Sequence, residues 1–336
     1  VASVSETDGD WRPAADLSQL RVRARLLAGI RAFFAGRDVL EVETPVLAAA
    51  GVTDIHIDSL STRHVSHAFP HGIDLYLQTS PEYAMKRLLA AGSGSIYQIS
   101  KVFRDGEAGR QHNPEFTMLE WYRQDHDYRQ LMDEVAAMLQ AVTGTAGAER
   151  ASYRDTFLEF INLDPLDCSV ADLRQAARQA GVCVATHEET GARALTQDDW
   201  LDLLLGQVIG PKLGHSEPRF IYDFPASQAA LARVRSQGQR TPVAERFELY
   251  WRGLEIANGY QELVDAAELQ RRMEQNRQLR RQRGLVDMAP DERLLRAMQA
   301  GLPECSGVAL GVDRLQMAYQ GLDAIALVMA FPVARA

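Results

Sequence analysis

No stretch of this sequence is apolar enough for long enough to cross a bilayer, which takes about 20 residues as a helix. No basic-then-apolar segment of the kind that directs secretion opens the chain. Cysteines are few, odd in number and dispersed at Cys168, Cys183 and Cys305, with no C-x-x-C pair. That argues against a disulfide framework and for a reducing, cytoplasmic setting. Internal repeats and low-complexity tracts are absent as well. Positive charge is also in deficit. A net charge of −9 argues against broad nucleic-acid binding, which needs clustered Lys and Arg to neutralise phosphates. What remains is 336 residues of ordinary soluble composition, enough to bury the core of one large α/β domain or two smaller ones.

Residues 1–16 are polar and read as a loose N-terminal segment. From Leu17 to Phe34, Leu20, Leu27, Ile30 and Phe34 recur at helical intervals, and Gly36 closes the helix. Val39 to Thr44 alternates as a strand stopped by Pro45. His56, His64, His67 and His71 invite a metal site, but their spacing matches no ligand pattern, so a polar β-hairpin is expected. Asp74–Gln78 alternates again, and Thr79-Ser80-Pro81-Glu82 opens a helix through Leu89, with Ser80 or Thr79 as cap. Glu82 is open to two readings, a capping carboxylate or an acidic wall for a cationic ligand.

The richest stretch is 99–123: a β-rich run into Phe103, a polar loop from Arg104 to Pro114, and a second β-rich run from Glu115 to Tyr122. The loop carries Arg104, Arg110, His112 and Asn113, with Asp105, Gly106, Glu107 and Gly109 among them. Guanidinium forks match phosphate oxygens, so this mouth suits a polyphosphate; a solvated hairpin tip is the plainer alternative. A helix follows from Tyr128 to about Val142, then a linker over 144–152. Residues 153–215 read as a mostly helical insertion with a capped start at Asp164-Pro165, 220–225 as a strand, and 226–243 as a mobile loop.

A hairpin is expected from Arg246–Trp251 and Leu254–Glu262, turning at Arg252-Gly253. Tyr250 then faces Glu255, Glu248 faces Ala257, and Glu248 and Glu255 become diagonal neighbours about 7–8 Å apart. Two carboxylates so placed either share a cation, for which magnesium with substrate phosphates is the candidate, or pair separately with arginines. Asn258, Tyr260 and Glu262 have the opposite parity, and a bulge at Gly259 would re-aim them. Residues 265–283 form an arginine-rich helix, read as a solvated face or as a docking surface for an acidic partner. Finally Ser-Gly-Val-Ala-Leu-Gly-Val-Asp-Arg, ending at Arg314, passes from a strand of small residues into a helix.

Taken together these segments resemble the catalytic domain of class II aminoacyl-tRNA synthetases of the lysyl type, over nearly the whole chain. Glu41-Val42-Glu43-Thr44-Pro45 is similar to the family's first motif, Phe103-Arg104 through Phe116-Thr117 to its second, and Gly311-Val312-Asp313-Arg314 to its third. The resemblance implies an α+β fold, an antiparallel sheet flanked by helices spanning 17–336, and a homodimer built on the first motif. It implies ATP and Mg2+ as cofactors and Arg104 and Arg314 as catalytic residues. Asp105, Gly106, Glu107, His112, Asn113, Phe116, Leu249 and Gly311 would join them around ATP. Glu248 and Glu255 would hold the metal. Ser80, Pro81, Glu82, Glu120, Tyr122, Glu255, Asn258, Glu262 and Ala309 would form the amino-acid pocket.

Three departures refine this. The motif-bearing part starts near the N-terminus, where the lysyl enzymes carry an anticodon-binding barrel, so no tRNA is expected. Ala309 stands where the synthetases have a third glycine. Both features resemble the bacterial paralogues that attach (R)-β-lysine to a lysine of translation elongation factor P. The third is Gly106, where both groups usually place a glutamate that contacts adenine, with Glu107 one position later. An elongation factor P acceptor and a β-lysine or lysine substrate are the implied partners. A truncated synthetase-like enzyme and an inactive regulatory paralogue are the alternatives.

Overall fold

The computed structural model describes residues 11–182, 194–236 and 241–336. Cys183, the first ten residues of the segment read as loose, and 237–240 of the 226–243 loop lie outside them. Ala14 and Ala15 donate their amides to Ala330 and Met329 carbonyls, so the start and end of the described chain lie side by side.

Helix α1 (Leu17–Ala35) starts where the Asp16 carboxylate accepts the Ser18 amide at 2.7 Å, and it buries Leu26, Ile30, Phe33 and Phe34. The alternating run after it yields only a short strand, β1 (Leu40–Glu41). Three strands, β2 (Leu47–Ala48), β3 (Ser61–Ser66) and β4 (Phe69–Leu77), make a small sheet in the order β2–β4–β3. It contains the hairpin expected for the histidines, though for three of the four: His64 and His71 stand on its strands and His67 at its turn, whereas His56 precedes it outside any strand. Helix α2 (Glu82–Ala90) then leads to β5 (Ile96–Phe103) and β6 (Glu115–Gln124). Neither Ser80 nor Thr79 caps α2. Pro81 takes the cap position without a side-chain hydrogen bond.

Helix α3 (Tyr128–Thr143) is fixed at both ends, by a reciprocal Asp127–Gln130 capping box and by Gly144 in the left-handed region at φ 78°. Next come β7 (Glu149–Ser152), α4 (Tyr153–Ile161), α5 (Val170–Gln179) and α6 (Gln197–Leu204). Asp164 does not start a helix, because its carboxylate turns back to the Leu166 amide; Ser169 caps α5 instead. The chain continues through β8 (Arg219–Pro225), β9 (Val234–Arg235), β10 (Val243–Trp251) and β11 (Leu254–Gln261). The stretch read as a loop thus contains a strand, β9, on the edge of β10. Helices α7 (Ala266–Gln282) and α8 (Glu292–Gly301), strand β12 (Cys305–Gly311) and helix α9 (Val312–Gln320) complete the order.

The large sheet runs β1-β5-β6-β12-β11-β10-β8-β7. It is antiparallel except where β1 joins β5 and β7 joins β8 at its two ends. Alternation divides its residues cleanly. Leu119 and Trp121 of β6, Phe247 and Leu249 of β10, and Val308 and Leu310 of β12 enter the main core, with Ile30 and Phe34 from α1 and Leu131 and Val135 from α3. Phe34 and Tyr97 stack there with centroids 4.5 Å apart. Tyr153, Phe157, Leu201 and Leu204 of the helical segment form a second cluster with Ile221 and Phe224 of β8. The opposite face of the central strands is left to the site.

Candidate active site

The geometry of the β10–β11 hairpin decides which side chains reach that face. Trp251 pairs with Leu254 and Tyr250 with Glu255 as expected, but Leu249 pairs with Ala257 and Glu248 with Asn258. The extra residue is therefore Ile256, and this bulge corrects both the Glu248–Ala257 register and the expected bulge at Gly259. It reverses parity along β11, so Asn258, Tyr260 and Glu262 join Glu248 on the site face. Gly259 is needed for a different reason: a Cβ there would lie 2.7 Å from Phe247 Cε1 and 2.9 Å from Val308 Cβ.

A cavity of about 260 Å³ opens over β6, β12 and β11. At one end stand Arg104, Glu107, His112, Phe116, Gly311 and Arg314; at the other Ser80, Glu82, Glu120, Tyr122, Asn258 and Glu262, with Ala309 between. Asn113 and Glu255 also line it, whereas Pro81, Asp105, Gly106, Glu248 and Leu249 do not. Leu249 faces the core, and the Asp105 amide is used on the Asp58 carbonyl at 2.9 Å.

The basic end is built by β5, β6 and α9. Arg104 lies 5.2 Å from the Phe116 ring centroid and 3.5 Å from Glu107, and its Nε is buried without a partner. Arg314 donates Nη1 to the Glu255 carbonyl at 3.0 Å and lies 2.6 Å from His112 Nε2 through Nη2. Burial and the Arg314 charge both lower the His112 pKa, so the ring is neutral and accepts from the guanidinium. Buried Asp313 fastens the start of α9, accepting from Arg23 at 2.8 Å and from the Thr117 amide at 2.7 Å. Asn113 is anchored too: its amide donates to the Glu115 carbonyl and accepts from the Val333 amide. Gly106 adopts φ 75° with open space around it, so a glutamate there would be strained; Glu107 is the carboxylate the loop presents to the cavity.

The acidic end is more deeply buried. Glu120 accepts from Tyr122 Oη at 2.6 Å through one oxygen, and its other oxygen is buried without a partner. Burial and then the Glu82 charge push Glu120 up to about 8. Glu262 is pushed up to about 7 by burial, a shift that Lys86 opposes and Glu82 reinforces. Lys86, itself buried, bridges Glu82 and Glu262 at 2.6 Å each. Along β12 the levels are ordered: Gly307 is opposite Tyr122 and Tyr260, Ala309 opposite Glu120 and Asn258, and Gly311 opposite Met118.

Glu248 sits just behind the cavity, accepting from Arg246 and, at 2.8 Å, from Tyr250 Oη. Burial and then the neighbouring Glu255 charge raise it to about 7. Glu255, two-fifths exposed on the cavity wall, could ligate a divalent cation, whereas Arg246 and Tyr250 hold both Glu248 oxygens, so Glu248 would join it only by giving up one of them. Among the described residues no group of three or more His, Cys, Asp or Glu forms a self-sufficient metal cage.

Sequence reasoning passed over several residues. Gly307 shares the parity of Ala309 and Gly311, a signal that was available. Lys86 follows Glu82 by one helical turn, but nothing marks it as buried. Arg280, one of six arginines around α7, is wholly buried and donates to the Asp54 and Val286 carbonyls and to Asp58. Arg271, Arg272, Arg277 and Arg281 pair with Glu268, Glu274 or Asp287, so much of that charge is neutralised locally.

The family model for tRNA synthetases class II (D, K and N) matches residues 10–335. A curated protein of Yersinia enterocolitica, called elongation factor P–(R)-β-lysine ligase, is 49% identical over 334 residues, covering 99% of this chain and 100% of that one. A protein of the same name from Vibrio cholerae is 49% identical over 331 residues, 98% of this chain and 100% of its own. The chain belongs to the class II aminoacyl-tRNA synthetase family.

Proposed function

We propose that this protein is an ATP-dependent ligase that adenylates (R)-β-lysine, or lysine, and transfers it to a lysine ε-amine of elongation factor P. The observation that carries the reading is one cavity with guanidiniums at one end and an excess of carboxylates at the other. ATP and an amino acid with two ammonium groups are complementary to that polarity. The names of the relatives support the acceptor and the β-amino acid.

In the first step a carboxylate oxygen of the amino acid attacks the α-phosphorus of ATP and pyrophosphate leaves. Arg104, with its free Nε, holds the α-phosphate and the reacting carboxylate. Arg314 meets the terminal phosphate, and the adenine stacks on Phe116. Magnesium bound by Glu255 and Glu248 would neutralise charge on the polyphosphate. The amino acid would lie along β12 with its carboxylate toward Arg104, its nearer ammonium beside Glu120 and Asn258, and its far ammonium beside Glu262 and Tyr122, a reading that the level order of these residues supports. In the second step the acceptor amine attacks the mixed anhydride carbonyl, AMP leaves, and the amine proton passes to solvent or the leaving phosphate. No side-chain nucleophile is required; alignment of the reactants supplies the rate.

Exposed Leu40, Val46 and Leu47 beside the two-residue edge strand β1 support docking of a second copy there. Among the described residues no helix is long and apolar enough to cross a membrane, and a reducing cytoplasm suits the unpaired Cys168 and Cys305. Amino-acid-dependent ATP–pyrophosphate exchange tests the first step. Exchange with β-lysine or lysine, and none with leucine, is the expected result; no exchange with any diammonium acid contradicts the reading.

A further inference from the structure

The acidic end of the cavity contains a cation of its own, and its place there is unusual. Lysine is among the residues least often fully buried, because an ammonium loses several kcal/mol of hydration inside a protein. Lys86 nevertheless has a side chain only 3% exposed, clamped between Glu82 and Glu262 at 2.6 Å each. Nothing in the proposed chemistry uses it. Both of its partners line the cavity.

We propose that Lys86 is a positioning residue of the amino-acid pocket: it holds Glu82 and Glu262 in place and trims the acid excess to the two charges a diammonium substrate neutralises. The inference rests on the cavity being a site for such an acid. Glu82, Glu120 and Glu262 are the carboxylates that act on one another and on Lys86, and one permanent internal cation leaves these three an excess of two. Burial alone would lower the Lys86 pKa, but Glu262 and Glu82 outweigh burial and hold it above the ordinary value, so the ammonium keeps its charge. Lys86 in turn opposes the burial of Glu262, keeping that carboxylate closer to the ionised form a substrate ammonium needs. Asp54 and Arg246 act on this cluster through Tyr83 and Tyr260, while the buried tyrosines and cysteine around it stay neutral. Tyr83 on α2, Tyr122 on β6, Tyr260 on β11 and Cys305 on β12 all have their pKa values raised by burial.

Removing the Lys86 charge must therefore make the pocket hold an extra proton. Glu262 would be the carboxylate protonated, and a substrate ammonium would have to displace that proton to bind. Lys86→Met and Lys86→Gln are tested in amino-acid-dependent ATP–pyrophosphate exchange, with KM for the amino acid and for ATP followed against pH. The expected result is an amino-acid KM raised about tenfold near neutrality, for a midpoint moved up by about one pH unit, and approaching wild type in alkali. KM for ATP stays unchanged. A purely structural lysine would raise KM by the same factor at every pH, or lower kcat alone, and either result overturns the proposal. If both single variants fail to fold, Glu82→Gln/Lys86→Met removes the ion pair together. That variant is compared with Glu82→Gln, which keeps the lysine: its midpoint is expected to lie higher, because Lys86 offsets the burial of Glu262, and equal midpoints overturn the charge argument. Wild-type protein that exchanges no diammonium acid would instead refute the functional reading itself.

Discussion

Substituting Gly307 by alanine isolates the far end of the amino-acid pocket. Gly307 faces the cavity from the middle of β12, between Tyr122 on β6 and Tyr260 on β11. An added Cβ would overlap Glu262 Oε1 and Tyr122 Cε1, and would lie 2.6 Å from Tyr122 Cδ1. Neither neighbour is free to yield, since Tyr122 is tied to Glu120 and Glu262 to Lys86. Overpacking of this kind is worth about 1–3 kcal/mol. The displaced groups are the ones read as holding the far ammonium, so the same energy appears as an amino-acid KM raised about 5- to 150-fold. The nucleotide end lies two levels away along β12, so KM for ATP should not change. ATP–pyrophosphate exchange with each substrate varied in turn gives both constants. A Gly307→Ala enzyme with unaltered amino-acid KM, or with loss confined to ATP, refutes the placement of the substrate along β12.

The opposite perturbation, Ala309→Gly, removes a methyl beside Glu120 and Asn258. Preference should move from β-lysine toward α-lysine by about 1–3 kcal/mol, read as the ratio of kcat/KM values for the two acids. Arg104→Met and Arg314→Met should each lower exchange by about 10²- to 10³-fold while thermal stability changes little, since both guanidiniums line the cavity rather than the apolar core. Glu120 and Glu262 ionise well above the ordinary carboxylate value of 4.5. The folded apo protein therefore holds protons that the unfolded chain releases, so this contribution to stability is complete below pH 4.5 and is lost as pH rises through 7 to 8. A diammonium ligand binds the ionised form, so the thermal shift it produces should grow across that window; a shift that shrinks with pH would contradict the charge assignment. Glu255→Gln should raise the magnesium needed for half-maximal exchange, and a chelator should abolish exchange reversibly.

The central strands were legible because local chemistry and global packing agree there. The helix beginning at Tyr128, the β-rich run from Glu115 to Tyr122 and the small-residue strand ahead of Arg314 read in sequence as they stand in the fold. The bulge at Ile256 was not legible. Glu248 and Glu255 suggested one register, Asn258 and Glu262 the other, and only pairing with β12 on the far side of β11 decides between them. Gly259 drew attention as the flexible residue, yet its role is to admit the Phe247 ring. Lys86 and Arg280 were missed for a common reason. Periodicity places a cation on a helix face but does not say which carboxylates or carbonyls from distant segments converge on it. Helix α2 likewise begins without the hydroxyl cap that Thr79 and Ser80 suggested, and Ser80 borders the cavity instead.

The central claim is that two guanidiniums and an acid-lined slot activate a diammonium acid for transfer to a protein amine. Intact-mass analysis of elongation factor P after incubation with this protein, ATP, magnesium and (R)-β-lysine tests it directly. The account predicts a single β-lysyl increment on the factor that requires ATP and disappears with Arg104→Met. An unmodified factor, with the amino acid found on tRNA or released as free adenylate, would contradict it.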